Sequence, residues 1–222
     1  MTPSRRKFAL TTHITLSVGW IGAVLAYLVL VVAAMATRDA QTLRAGWIAM
    51  ELIGWYLIVP LAITSLFTGL LMALGTQWGL FRHYWVLISL VLTIVATVVL
   101  LQHMRTVTFF AREAAQAIPA DLGRLRSALR GEILHAGVGL VVLFVIEALN
   151  VYKPQGVTWY GRRRGVSRVA PPSRVSDHPA LRLGQGSGGR TPRWVQVVGI
   201  HAIGLALLFL LMHLTGGGLR QH

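Results

Sequence analysis

WIAMELIGWYLIVPLAITSLFTGLLMAL, residues 47–74, decides the fold class of this chain. Glu51, near its start, is the one acidic or basic side chain in the run. A predominantly apolar stretch longer than about 18 residues matches the hydrocarbon thickness of a bilayer. In lipid the backbone polar groups must bond to one another, so the run is read as a transmembrane helix. Pro60 stands inside it. A missing N–H and a ring that crowds the preceding turn predict a kink or local unwinding there.

Outward from this stretch, four more apolar runs follow the same reading. Phe8–Ala36 comes after Ser4-Arg5-Arg6-Lys7, and Ala34-Met35-Ala36 resembles a signal-peptidase site. A signal-peptide core is only about 7–15 residues long, so this longer run is assigned as a span. The third run is Tyr84–Leu101. The fourth, Ile133–Leu149, is short and is expected to continue a helix that begins earlier, with Asp121 as its N-cap. The fifth, Trp194–Leu214, opens with Thr191-Pro192 and ends at Gly216-Gly217-Gly218, a favourable start and stop for a helix. The expected fold is all-α, a polytopic transmembrane helix bundle of about five spans. It divides into a four-span unit (1–152), a basic loop (153–193) and a fifth span with a short tail (194–222).

Composition agrees. Hydrophobic residues make up 55% of the chain and charged residues 13%, against about 25% charged in soluble domains. Mean hydropathy is +0.62. There is no cysteine, which excludes disulfides, thiolate metal sites and cysteine nucleophiles. The formal charge of +14 sits in loops between spans. Lipid headgroups and membrane orientation account for it better than nucleic acid does. Lys7 and Lys153 are the only lysines in a chain rich in Ala, Gly, Leu and Val. That pattern fits the coding bias of a high-GC bacterium, and the expected location is the bacterial cytoplasmic (inner) membrane. A cytoplasmic N-terminus places Arg5, Arg6, Lys7, Arg82 and the basic loop inside, as the positive-inside rule asks. Most acids, Asp39, Glu113, Asp121 and Glu132, then fall outside. The loop is too rich in Pro, Gly, Ser and Arg to bury an apolar core, so disorder is expected. Within it Arg162, Arg163 and Arg164 either attract anionic lipid, at about 1 kcal/mol per charge, or only fix topology.

Eight histidines occur, six of them in or beside spans. His83, His103 and His213 stand at span ends, where imidazole reaches water or headgroups. His13 and His201 lie one to two turns inside apolar runs, and an intramembrane ionisable residue is a functional candidate by default. A hydrogen-bonded packing role competes with a ligand role for both. At about 100° per residue, His13, Ser17, Trp20, Val24 and Tyr27 share one stripe. His135, Gly139, Val142 and Ile146 form another, in which glycine leaves room for something flat, as haem-binding helices do. His83 and His103 are about 30 Å apart along one helix and cannot share a ligand. The cofactor candidates are therefore His13, His83, His103, His135 and His201, pairing as His13 with His83 or His201 and His103 with His135. Met104 is a softer alternative. Glu147, three residues before Asn150, serves either an ion pair, with Lys153 or an arginine, or a proton path. No P-loop, GxSxG, HExxH or other catalytic motif is present.

His13-x6-Trp20-x-Gly22 resembles the opening of the CopD-type copper-resistance proteins and of the HemJ-type protoporphyrinogen oxidases. MELIGWYLIVPLAITSLFTGLLMALGTQWGLFRHYWVLISLVLT, LLQHM and VYKPQGVTWYGRRR, across residues 8–164, are more similar to an uncharacterised bacterial membrane family related to CopD. The ending TPRWVQVVGI…HLTGGGL resembles a C-terminal addition found in some of its members. The HemJ likeness implies a haem-ligand role for His13. That family also uses a lysine on its third span, where Ser89 stands here, so the likeness does not extend to oxidase activity. Three functions are expected to compete. The first is a b-type haem or metal protein, for electron transfer or for assembly of a respiratory or metal-handling system. The second is a non-catalytic scaffold or accessory subunit that docks a membrane protein partner. The third is a small-solute or ion transporter.

Overall fold

A computed structural model of the protein describes residues 2–75, 83–152 and 204. Arg82, His201, His213, the basic loop with Arg162, Arg163 and Arg164, and the fifth span lie outside these residues. Among those described, all regular structure is helical, with no strand element. Four helical segments are long and apolar enough to cross a membrane: Ser4–Ala36, Ala40–Gly75, Tyr84–Gln116 and Pro119–Tyr152. The protein is an all-α, multi-pass membrane bundle.

The first span is α1 (Pro3–Ala36), and α2 (Ala40–Ile53) with α3 (Val59–Gly75) forms the second. Then come α4 (Tyr84–Gln116) and α5 (Leu122–Tyr152). The chain runs up and down. The end that carries the N-terminus is called basal here, and the opposite end apical. The first span packs against the second span and α5, and α4 packs against the same two, so the four close into a square. Trp20, Tyr27, Val31, Trp47, Met104 and Leu129 are among the side chains buried between them. Val29, Phe67, Val141 and Phe144 point outward, as a bilayer allows.

Local sequence explains where the helices start, stop and bend. Asp39 caps α2, its carboxylate accepting from the Thr42 N–H and the Thr42 hydroxyl, both at 2.7 Å. These two contacts, side chain first, hold the Asp39 carboxyl below the usual range. Pro60 does unwind its helix. Gly54–Ile58 forms a single π-helical turn, in which the Val59 N–H reaches back five residues to the Gly54 carbonyl. A proline ring crowds the carbonyl four residues before it, and the wider turn relieves that conflict. Gly54 makes the turn close-packed: a Cβ there would run into the Met104 thioether.

The apical ends depart from expectation. The third run was expected to stop at Leu101, but α4 continues to Gln116, whereas the early start expected for the fourth helix holds, α5 beginning at Leu122. Polar residues on these extensions meet one another across a tight hairpin, where Arg124 pairs with Glu113. Asp121 is not the N-cap of α5. It ends a short 3-10 turn (Pro119–Asp121) and reaches back to the Ile118 N–H at 3.0 Å. Arg126 donates to the Thr37 carbonyl at 2.6 Å, satisfying an orphan acceptor at the end of α1.

Candidate functional site

The stripe His13, Ser17, Trp20, Val24 and Tyr27 on α1 runs past two cavities, one basal and one nearer the apical end. Trp20 and Leu143 line both and form the wall between them.

The basal cavity has a volume of about 420 Å³ and draws on all four spans. That lies within the usual 300–1,000 Å³ of small-molecule and cofactor sites. His13 faces it from α1. Its Nδ1 lies 3.0 Å from the Thr68 hydroxyl oxygen on α3. That hydroxyl is within 2.9 Å of the Thr64 carbonyl and 3.1 Å of the Ser65 carbonyl. Carbonyls only accept, so the Thr68 hydrogen goes to them and its oxygen receives the imidazole Nδ1–H. Nε2 is then the nitrogen with the lone pair. Gly69 makes room for the ring, because a Cβ there would stand 3.1 Å from the His13 Cε1.

Around the same cavity are Ser17 and Ser65, hydrogen-bonded to each other at 3.0 Å. Arg6, Met72, Glu147 and Asn150 also line it. So does Ser89, whose hydroxyl is buried without a hydrogen-bond partner among the described residues. A partner for that hydroxyl from within the cavity would recover about 1–3 kcal/mol.

Toward the apical end, four side chains from three helices converge. The Tyr27 hydroxyl donates to Glu132 Oε2 at 2.6 Å. His103 Nε2 meets the same oxygen at 2.8 Å. The His103 and His135 rings stack, with centroids 3.4 Å apart and planes 8° from parallel. Glu132 is 2% exposed and His103 7%. Glu132 was expected outside the membrane. It lies ten residues into α5, about 15 Å along the helix from its apical start. The signal available was its i,i+3 spacing to His135 on one helical face, obscured by starting the span at Ile133. Tyr27 was visible on the α1 stripe, but nothing in the sequence marked its partner.

The structure therefore brings His103 and His135 together, yet not as a pair of axial ligands. Imidazole lone pairs lie in the ring plane, and stacked rings aim them along parallel planes. A metal about 2.0–2.1 Å from a nitrogen of each ring would need those planes to converge. Among the described residues no group of three or more His, Cys, Asp or Glu side chains is arranged to hold a metal ion. His83 precedes α4, 6.5 Å from the Trp85 ring between centroids, and does not line the basal cavity with His13. Met104 packs into the Gly54 turn.

The apical cavity, about 80 Å³, lies beside the stacked rings and is otherwise apolar. Ile58 of the π turn, Val99 of α4 and Gly139 of α5 are among its walls. No family model matches the chain. Neither the curated proteins nor the solved structures contain a significant match to it.

Proposed function

We propose that this protein is a membrane electron-transfer protein that holds a b-type haem in its basal cavity through His13. The observation that carries the reading is His13 itself, an imidazole with its Nδ1–H engaged by Thr68 and its lone-pair nitrogen at Nε2, on a cavity of cofactor size. Metal-bound histidines are oriented in this way, by a hydrogen bond from the other ring nitrogen. Haem would supply a one-electron couple there. The remaining chemistry belongs to the chain. Arg6 suits the acid side chains of a tetrapyrrole. Leu10, Ile14, Leu66 and Leu90 exclude water from its faces, and Met72 offers a thioether as a second, softer ligand. The buried Ser89 hydroxyl would gain a partner or a bridging water.

The likeness of His13-x6-Trp20-x-Gly22 to the HemJ-type and CopD-type openings supports a ligand role for His13. Ser89, in place of a lysine, gives no support to an oxidase. In this reading the protein resides in a bacterial inner membrane with its N-terminus and basal end cytoplasmic, and Arg162–Arg164 contact anionic lipid beside that end.

The test is an optical spectrum of the detergent-purified protein, oxidised and then dithionite-reduced. A Soret band with a reduced α band, lost in His13→Ala, is expected. A featureless spectrum from protein expressed with haem supplementation would overturn the proposal.

A further inference from the structure

The apical cluster is not needed to hold the proposed haem, and it is costly to build. A carboxylate, two imidazoles and a phenol stand about 15 Å along α5 from its apical start, inside a membrane bundle. Such groups within spans mark pathways or binding sites more often than packing. Of these groups Tyr27, His103 and His135 border one end of an apolar cavity, and Glu132 stands behind them.

That cavity is walled by all four spans, and its partly exposed rim lies on α4 and α5. Val95 and Ala96 on α4, and His135, Gly139 and Val142 on α5, are partly exposed at its rim. Their neighbours Ile94, Val98 and Val141 face outward. A ligand would enter sideways, from lipid. Gly139 has no atom within 4 Å of where a Cβ would stand, so the slot continues past it. The enclosed volume, about 80 Å³, is roughly half of the 150 Å³ that takes a whole benzene ring. A flat ring would enter edge-on, its leading edge against the imidazoles and its trailing edge over Gly139. Trp20 lines this cavity and the basal one, so occupants of the two would be separated by little more than an indole.

We propose that the apical slot and the Tyr27–Glu132–His103–His135 cluster bind the ring of a lipid-soluble quinone or hydroquinone. The ring oxygens meet the imidazole end, with Glu132 behind it holding His103 and Tyr27, and the tail leaves between α4 and α5 into the bilayer. An ordinary acyl chain has no use for two imidazoles and a phenol at the slot's end, and a water-soluble ligand has no reason to enter from lipid. The purpose of the site, exchange of electrons with the basal cofactor, rests on the haem reading; binding of the quinone does not.

The experiment is photolabelling of the full-length protein in lipid nanodiscs with an azido-quinone bearing a decyl tail, mapped by mass spectrometry. It is run on haem-loaded and haem-free protein, so that failure of the haem reading and failure of this one are told apart. Label is expected on segments 95–104 and 135–143, in both forms. Excess decylubiquinone should displace it. Gly139→Leu, which fills open space and so should fold, is expected to cut the labelling at least tenfold. Ala96→Leu, filling the other wall, should do the same, and the outward-facing Val141→Leu should not. Label spread over outward residues such as Val29 and Phe67, label not displaced by decylubiquinone, or label indifferent to both slot-filling variants would overturn the proposal.

Discussion

Glu132 is the residue on which the apical half turns. Its Oε2 takes contacts from Tyr27 on α1 and His103 on α4, so one oxygen ties three helices together. Interhelical hydrogen bonds in membranes average about 0.6 kcal/mol and reach about 1.7 kcal/mol. Tyr27→Phe, which leaves His103 in place, should therefore cost about 1 kcal/mol. Glu132→Leu is different, because it leaves an imidazole and a phenol buried without their acceptor. Breaking a buried pair by removing one partner costs about 3–5 kcal/mol, whereas replacing both partners with apolar groups is often close to neutral. His103→Leu combined with Glu132→Leu should then be less damaging than the sum of the two by about 2 kcal/mol. Reversible unfolding in detergent micelles measures all four variants. Strictly additive losses would mean that the cluster is not an interacting unit. Little of this was legible beforehand. His103 was expected at a span end within reach of water, yet it is buried; His135 drew notice on its stripe, and Glu132 was assigned to the apical exterior because hydropathy dilutes one acid among arginines.

At the scale of elements, the sequence was most informative where the solvent is lipid. Long apolar runs leave the backbone no choice but helix, and the Pro60 disturbance follows from covalent geometry. The α1 stripe from His13 to Tyr27 was legible as well, since a 3.6-residue period places those side chains on one face, and that face lines both cavities. Helix ends were read unevenly, since the early start of α5 was expected and the extension of α4 was not. The apical extensions of α4 and α5 are held by Arg124–Glu113 and by Arg126 on the Thr37 carbonyl, contacts between distant positions that hydropathy does not record. The Asp39 cap belongs to this scale, and its pH dependence has a definite sign. Hydrogen bonds from Thr42 lower the Asp39 carboxyl in the folded state. Its contribution is present above the ordinary aspartate value near 4. It is lost as pH falls through the lowered folded value. Thermal melting of wild type and Asp39→Ala should differ at neutral pH and converge in acid below about pH 4. A gap that does not change with pH would show that the carboxylate is not what caps α2.

At the scale of the whole molecule, the bundle separates two kinds of chemistry along its axis. The basal half offers a roomy cavity with one oriented imidazole and a buried hydroxyl that has no partner among the described residues. The apical half offers a narrow slot with a dense hydrogen-bonded cluster. Trp20 and Leu143 stand between them. Sequence set His103 and His135 apart from His13, but it did not show the cavities that they line, because those need the packing of α1 against α3 and α5. The measurement that tests the central claim most directly is a haem titration of the purified apoprotein, followed by the Soret change. It compares wild type with His13→Ala, Ser89→Ala and His135→Phe, the last of which keeps a ring stacked on His103. Saturation at one equivalent is expected for wild type, for His135→Phe and for Ser89→Ala, with at least a tenfold weaker affinity in His13→Ala. Unchanged binding in His13→Ala, or loss of binding in His135→Phe, would contradict the assignment of the cofactor to the basal cavity.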